Sequence, residues 1–377
     1  MTKTAFSSEF QGEFDVEQLL AHLGYENPNI TDLSSLPKEV HDRITQTVVC
    51  PSCGVSGAII VSASCAKKTR KILSQPHFRF FSTDRQSSHD PLCDFYHEHD
   101  SAQYCRSVDF RSTKNAATLI VRDLVCKGIE HHIFSQKTIR EMRQWFFEKR
   151  KSHSFVLDIP SELIEWCSFL LECTHITGVT FQPIFGEIPN FNWEEAAKYH
   201  LSQANASQIE ILRSGWAGFS KKNHLSRTYQ LAKQFQNQLV FNATALSKEY
   251  RTTIELTNFF TKALRVRGLK FIYPTIGYLG NMESLVAFCG LLLFINNWNI
   301  EKSASLAIKL MLENPAQDQL AGNIIGLDPF YDFHAWSALM LAKKVNDSQY
   351  TNAPVLEKLE QAQSELRKMH ERWKYNS

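Results

Sequence analysis

The chain has 377 residues, of which 43% are hydrophobic and 12% aromatic, and its formal net charge at pH 7 is only +2. This composition excludes an intrinsically disordered chain, and the length is sufficient for two or three domains. The small net charge gives no indication of a polyanionic partner, so the prediction of such a partner depends on local clusters of basic residues.

Residues 1–48 form an acidic segment, with eight Asp or Glu residues against three Lys or Arg. Turn-forming residues precede two short stretches with apolar periodicity, which predicts helices at 15–23 and 38–47. The first residues lack the basic and then apolar pattern of a signal peptide, so we expect a protein that is not secreted.

Residues 49–110 have a different character, because they are rich in Cys, His, Gly and Ser and contain one strand-like stretch, GAIIVSA, at 57–63. Their apolar residues are too few for an independent hydrophobic core. Small units of this kind need a staple such as a bound metal. The segment is therefore predicted to be a small metal-stapled module.

The motif CPSCG at 50–54 is typical of the beginning of a zinc knuckle. A structural zinc site needs four ligands, usually as two closely spaced pairs that the fold brings together. The second pair is predicted to be His89 and Cys93, which are separated by a stretch containing Asp-Pro that suits a turn. We therefore predict a structural zinc ion bound by Cys50, Cys53, His89 and Cys93.

Other readings of this motif are open at this point. His77 is the first substitute for His89, and Cys65 and Cys105 rank behind it. A redox-active cysteine pair is disfavoured, because the residues after CPSCG continue as a β-turn and not as the start of a helix. A catalytic zinc is disfavoured because four protein ligands leave no open coordination position.

The motifs of this segment resemble the N-terminal zinc-finger module of the competence protein CoiA-like family. The resemblance covers about residues 48–96 and departs from the family at Phe80, where the usual His-Phe-x-His motif has its second histidine. The resemblance implies a DNA-related function, in bacterial DNA uptake, mobile-element or anti-phage defence machinery. The motifs are CPSCG at 50–54, KKTRK at 67–71, PHFRF at 76–80 and HDPLC at 89–93.

Helical periodicity dominates from residue 111 onward, with a few strand-like stretches between the helices. The apolar run at 285–295 is too short to cross a bilayer and predicts a buried helix, so we expect no membrane partner. Helices are predicted at 115–127, 135–151, 161–173, 192–203, 206–214, 221–237, 248–266, 284–298, 302–313, 332–345 and 354–375. The stretches at 155–159, 178–185, 238–244 and 270–274 are predicted to be short strands or extended loops.

The last predicted helix has an apolar stripe, which favours an amphipathic helix that packs on its own domain. A helix that docks a protein partner or self-associates is the alternative. The stripe consists of Leu356, Leu359, Leu366, Met369 and Trp373.

The nine cysteines predict thiols in a reducing compartment, so we expect a cytoplasmic protein. Cys167, Cys173 and Cys289 lie in apolar stretches and are predicted to pack in the core.

Local clusters of basic residues predict a surface that binds nucleic acid, because Lys and Arg release counterions from phosphates and exposed aromatic rings stack on bases. The clusters at 66–85, 137–151 and 262–270 carry six, six and four Lys or Arg, and each one alone is also compatible with a solvated surface. The first lies inside the metal-stapled module. The predicted contacts, with DNA as the expected partner, are Lys67, Lys68, Arg70, Lys71, Arg79, Arg140, Arg143, Lys149 and Arg150.

These features predict an α+β, predominantly α-helical fold, in which a small zinc-stapled module precedes a large helical domain with a few short strands. The expected divisions are an acidic segment at 1–48, the module at 49–110, the helical domain at 111–353 and the C-terminal helix at 354–377. The expected function is that of an intracellular zinc-finger protein that binds nucleic acid. The alternatives are a protein-interaction scaffold and a diverged Mg²⁺-dependent nuclease with Asp158 as one carboxylate, although no complete catalytic motif is present.

Overall fold

Helices make up most of the protein in the computed structural model of the chain. The structure describes residues 2–66, 72–81, 88–96, 106–107, 116–176, 178–220, 222–263, 283–317, 327–348 and 354–376. Within these ranges lie fourteen α-helices and eleven short strands, and all strand pairs are antiparallel. The predicted α+β, predominantly helical fold class is confirmed.

The α-helices agree closely with the stretches that periodicity predicts, apart from the short α8. They are α1 (Val16–His22), α2 (Lys38–Thr47), α3 (Ala116–Glu130), α4 (Gln136–Ser152), α5 (Glu162–Cys173), α6 (Trp193–Ala204), α7 (Ala206–Arg213), α8 (Trp216–Ser220), α9 (Lys222–Gln234), α10 (Ser247–Ala263), α11 (Glu283–Ile295), α12 (Ile300–Leu312), α13 (Phe333–Asp347) and α14 (Val355–Asn376).

The strands form one three-stranded sheet, in the order β2-β1-β3, and four two-stranded pairs, β4–β7, β5–β6, β8–β11 and β9–β10. They are β1 (Thr4–Ser7), β2 (Gly12–Asp15), β3 (Val48–Val49), β4 (Ala58–Val61), β5 (Ser64–Cys65), β6 (Ile72–Ser74), β7 (His77–Phe80), β8 (Arg106–Ser107), β9 (Ser154–Val156), β10 (Leu239–Phe241) and β11 (Leu327–Asp328).

The structure describes three of the four stretches that are predicted to be strands or extended loops. The stretches at 155–159 and 238–244 contain β9 and β10, which pair with each other. The stretch at 178–185 contains no strand and ends in a 3-10 turn at Pro183–Glu187. The fourth stretch, 270–274, lies outside the described residues. Strands β1 and β2 are not predicted from the sequence, because they lie in the acidic segment where only helices are predicted.

The chain divides into two compact units, each built from two separate stretches. Unit 1 comprises Met1–Ser152 and Leu246–Tyr331, and unit 2 comprises His153–Ala245 and Asp332–Ser377. This division differs from the predicted boundaries after residues 48, 110 and 353. A change of composition along the chain does not reveal which distant helices pack together, and packing is what defines a compact unit.

Helix α11 lies at the centre of the helical part of unit 1, in contact with α3, α4, α10 and α12. Nine of its thirteen residues are buried. A helix that is apolar on all sides is stable only where other elements surround it, and the buried helix predicted at 285–295 is thereby confirmed. No single helix in the described part of the chain is both long and apolar enough to cross a membrane. Helices α11 and α12 meet that test only as a pair, and the pair is bent by 115°.

Helix α14 packs inside unit 2 against α5, α6 and the 3-10 turn at Pro183–Glu187. Its residues Leu359, Ala362 and Leu366 lie in a buried cluster with Phe181 and Ala197. The helix is therefore amphipathic and packs on its own unit, as predicted.

The predicted apolar stripe of α14 is buried only in part. Leu359 and Leu366 are 8% and 1% exposed, whereas Leu356 and Met369 are 73% and 43% exposed. Leu356 and Met369 lie at the edges of the buried face and not on it, since His370, which follows Met369, is 8% exposed and its Nδ1 donates to the carbonyl oxygen of Pro183 at 2.7 Å.

We expect Leu366→Ala to lower the free energy of unfolding of unit 2 by about 2–5 kcal/mol, because the substitution leaves a cavity in this cluster. Leu356→Ala is the matched control on the same helix and is expected to change stability by less than about 0.5 kcal/mol. Urea denaturation monitored by tryptophan fluorescence measures both effects. Equal destabilisation by the two variants would contradict the packing of α14.

Candidate metal centre

Four predicted ligands lie together in the N-terminal part of unit 1. The ligand atoms of Cys50, Cys53, His89 and Cys93 are all within 4.8 Å of one another, and together they can hold a metal ion. The Sγ atoms of Cys50 and Cys93 are 3.8 Å apart. The Nδ1 atom of His89 lies 3.5 Å from Sγ of Cys53 and 3.7 Å from Sγ of Cys93. Within the described ranges, no other group of three or more Cys, His, Asp or Glu side chains has this arrangement.

The alternative ligands are not part of this group. His77 is buried in β7, and its Nδ1 donates to the carbonyl oxygen of Gln75 at 3.2 Å. Burial lowers the pKa of His77 because it disfavours the charged imidazolium. Cys65 lies in β5 outside the cluster, and Cys105 lies outside the described residues.

A tight turn holds the first cysteine pair in position. The N–H of Gly54 donates to the carbonyl oxygen of Cys50 at 3.0 Å, and the N–H of Cys50 donates to that of Val55 at 2.8 Å. Gly54 has a φ of +74°, a conformation that favours glycine because it has no Cβ. The turn directs both thiols to the same side, and the N–H of Ser52 points to Sγ of Cys50 at 3.4 Å.

A second turn holds His89 and Cys93. The carboxylate of Asp90 accepts from the N–H of Leu92 at 2.9 Å, and the carbonyl oxygen of Asp90 accepts from the N–H of Cys93 at 2.8 Å. The N–H of Phe95 points to Sγ of Cys93 at 3.4 Å. Both turns therefore direct a backbone N–H at a cysteine sulfur from two residues further on, as is usual for the outer contacts of metal ligands.

The three thiols share one buried space, which opposes the presence of several thiolates without a cation. Burial raises the pKa of the Cys50 and Cys93 thiols above the usual value. Hydrogen bonds from these two thiols lower the pKa of Cys53. A bound divalent cation would replace the protons of these thiols, because a thiol binds a metal in its deprotonated form.

A buried ion pair connects the cluster to helix α4. The guanidinium of Arg150 forms an ion pair with Asp94, and their side chains are only 1% and 3% exposed. Arg150 Nη1 also donates to the carbonyl oxygen of Leu92 at 3.3 Å. Asp94 in turn accepts from the hydroxyl of Ser52 at 3.1 Å. Ser52 lies between the first two cysteines and Asp94 follows the last one, so this network joins both turns to α4.

A second buried arginine connects α4 to the N-terminal sheet. Nη1 of Arg143 donates to both carboxylate oxygens of Glu13 on β2, at 2.7 and 2.8 Å. The two side chains are 3% and 1% exposed. One turn earlier, the guanidinium of Arg140 lies 3.5 Å from the ring centroid of Phe6 on β1. Two of the six basic residues at 137–151, Arg143 and Arg150, are therefore internal.

This burial corrects part of the predicted nucleic-acid surface. Arg143 and Arg150 are paired inside the protein and cannot reach a phosphate, so they are wrong as contact residues. A count of Lys and Arg along the sequence does not show which of them lie on the buried face of the helix. Arg140 and Lys149 are partly exposed, and Nζ of Lys149 lies 5.3 Å from the ring centroid of Trp145.

The remaining predicted contacts lie in the segment at 49–110. Arg79 is exposed on β7. The other four, Lys67, Lys68, Arg70 and Lys71, lie outside the described residues.

Asp158, the carboxylate of the nuclease alternative, lies in unit 2 beside a lysine. Its Oδ1 accepts from Nζ of Lys343 at 2.7 Å, and this hydrogen bond lowers the pKa of Asp158. The side chain is 52% exposed. Asp158 belongs to no candidate metal-binding group in the described part of the chain.

The chain matches no protein-family model, no curated protein and no solved structure. The resemblance to the CoiA-like zinc-finger module therefore stays an expectation from the motifs.

We expect Arg150→Met to lower the free energy of unfolding by about 3–5 kcal/mol, because it leaves the Asp94 carboxylate buried without its ion-pair partner. Lys137→Met removes one positive charge from the same helix at a side chain that is 72% exposed. This control is expected to change stability by less than about 0.5 kcal/mol.

Urea denaturation of both variants and of the double variant D94N/R150M measures the effect. The double variant should recover part of the loss, because it removes the unpaired charge. If Arg150→Met is as stable as the unchanged protein, the connection between α4 and the cluster is not energetically important.

Proposed function

We propose that Cys50, Cys53, His89 and Cys93 bind a structural zinc ion. Bond lengths of about 2.3 Å for Zn–S and 2.0–2.1 Å for Zn–N in a tetrahedron separate two sulfurs by about 3.8 Å, and a sulfur from a nitrogen by about 3.6 Å. The cluster has 3.8 Å between two sulfurs and 3.5 and 3.7 Å between sulfur and nitrogen. This agreement is the observation that carries the proposal.

The chemistry of the donors favours zinc in a structural role. Three thiolates and one imidazole are soft or borderline ligands, which suit zinc better than calcium or magnesium. Four protein ligands fill a tetrahedral coordination sphere and leave no position for water or substrate. The zinc would therefore contribute folding free energy to the module and no catalytic step.

We expect the purified protein to hold one zinc ion per chain and Cys93→Ser to lose it, because a serine hydroxyl is a poor substitute for a thiolate ligand. Cys65→Ser is the matched control, since Cys65 belongs to the same module and lies outside the cluster. Metal analysis of the protein after gel filtration measures the zinc content. Zinc retained by Cys93→Ser, or lost equally from both variants, would contradict the proposed ligand set.

We further propose that the zinc-stapled module binds nucleic acid, with DNA as the expected partner. Six Lys or Arg residues against one Asp in residues 66–85 support this, and Arg79 within that stretch is exposed. The module is a better candidate than α4, because two of the four predicted contacts on α4 are internal ion pairs. The resemblance of its motifs adds a role as a recognition subunit in DNA uptake, mobile-element or anti-phage machinery, and the cysteines expected as thiols add a cytoplasmic location.

We expect the protein to bind labelled DNA with an affinity that falls steeply as salt rises, because each cation that contacts a phosphate releases counterions. Removal of zinc with a strong chelator should abolish this binding, since the module would lose its fold. Fluorescence anisotropy across a sodium chloride series measures both effects.

The matched control for this experiment is a pair of charge reversals. K67E/K68E should weaken binding, whereas K302E/K309E changes the net charge equally at exposed residues of α12 and should not. If the protein binds no nucleic acid at low salt, the proposal of a nucleic-acid-binding module is wrong. Equal loss of affinity in the two double variants would mean that only overall charge matters.

A further inference from the structure

The outer face of the antiparallel strand pair β4–β7 carries an exposed cation between two exposed apolar side chains. Ile59 and Arg79 are directly opposite each other in the register of the two strands, so their side chains share one face. Phe81 follows two residues after Arg79 and lies on the same side. Ile59 and Phe81 are 47% and 43% exposed, and the guanidinium of Arg79 lies 5.8 Å from the ring centroid of Phe81.

The inner face of the same strand pair is mostly buried, and it packs against the candidate metal ligand His89. Ala58, Phe78 and Phe80 are at most 2% exposed. The ring of Phe80 packs edge-on against the imidazole of His89, with 5.0 Å between the centroids. One of the candidate metal ligands therefore packs behind the strand pair and holds its outer face in a defined position.

The chemistry of the outer face fits the flat side of a nucleic-acid base. An exposed aromatic ring stacks on a base of any sequence, and a neighbouring arginine reaches phosphate or stacks on the base as well. Strands β4 and β7 contain no acidic residue that would repel a phosphate. Charge and aromatic surface are thus complementary to a nucleic acid.

The same composition favours a single strand over a duplex. In a duplex the flat sides of the bases are stacked on one another, and proteins read the base edges with polar side chains. Ile59 and Phe81 offer no hydrogen-bonding group to a base edge. Unstacked bases are available in single strands, where aromatic side chains are the usual contacts.

We propose that the outer face of strand pair β4–β7 binds single-stranded nucleic acid, with a base stacked on Phe81 and the adjacent phosphate on Arg79. This inference rests on the proposed nucleic-acid binding and adds the position and the class of partner.

Binding of labelled oligo(dT) of about 16 nucleotides and of a duplex of the same length tests the inference. Phe81→Ala should weaken binding of the single strand about 5- to 150-fold, and Phe81→Trp should bind like the unchanged protein, because the indole stacks on a base equally well. Phe259→Ala is the matched control, since Phe259 is 48% exposed on α10 of the same unit. Arg79→Gln should reduce the slope of log affinity against log salt by about 0.7.

The outcomes separate this inference from the proposed function. A stronger affinity for the single strand that Phe81→Ala weakens and Phe259→Ala leaves unchanged supports both. Binding that Phe81→Ala leaves unchanged, or a preference for the duplex, overturns the inference and leaves the proposed function intact. Absence of binding to either probe overturns both. Zinc analysis of each variant shows that a loss of affinity does not come from a loss of the metal.

Discussion

The ion pair between Arg150 and Asp94 connects the candidate metal-binding cluster to helix α4 of unit 1. Two charges buried this deeply are costly unless they are well paired, so the pair stabilises one arrangement and strongly disfavours others. Asp94 also accepts from Ser52, which lies between the first two cysteines. A single carboxylate thus aligns both cysteine-containing turns against one guanidinium. The ligand cluster, the turns and α4 consequently depend on one another.

Helix α4 has this role because its buried face carries charge as well as apolar side chains. Arg143 and Arg150 are seven residues apart, two turns of the helix, and lie on the same side as the buried Phe146 and Phe147. Arg143 pairs with Glu13 in the N-terminal sheet, and Arg150 pairs beside the cluster. The module has too few apolar residues for its own core, so these two pairs and a bound metal would substitute for one.

The proposed functions follow from which side chains of unit 1 are buried and which are exposed. Arg143 and Arg150 of α4 are used in internal ion pairs, which removes two of the six basic residues of that helix from its surface. The strand pair β4–β7 packs one face against His89 and exposes the other, where Arg79 and Phe81 lie side by side. A rigid module with a small exposed cationic and aromatic face suits recognition better than catalysis. The closed set of four ligands leads to the same conclusion.

The sequence by itself determined the helices and the candidate metal ligands, because both depend on short-range spacing. Apolar periodicity defined thirteen helices to within a few residues, and the spacing of two residue pairs identified Cys50, Cys53, His89 and Cys93. Only the tertiary structure decided which charges are internal. Arg143 and Arg150 count as surface cations in a sequence, although the apolar residues at their helical spacing could have indicated a buried face. Their partners, Glu13 and Asp94, are 130 and 56 residues away, and no local pattern predicts pairs brought together only by folding.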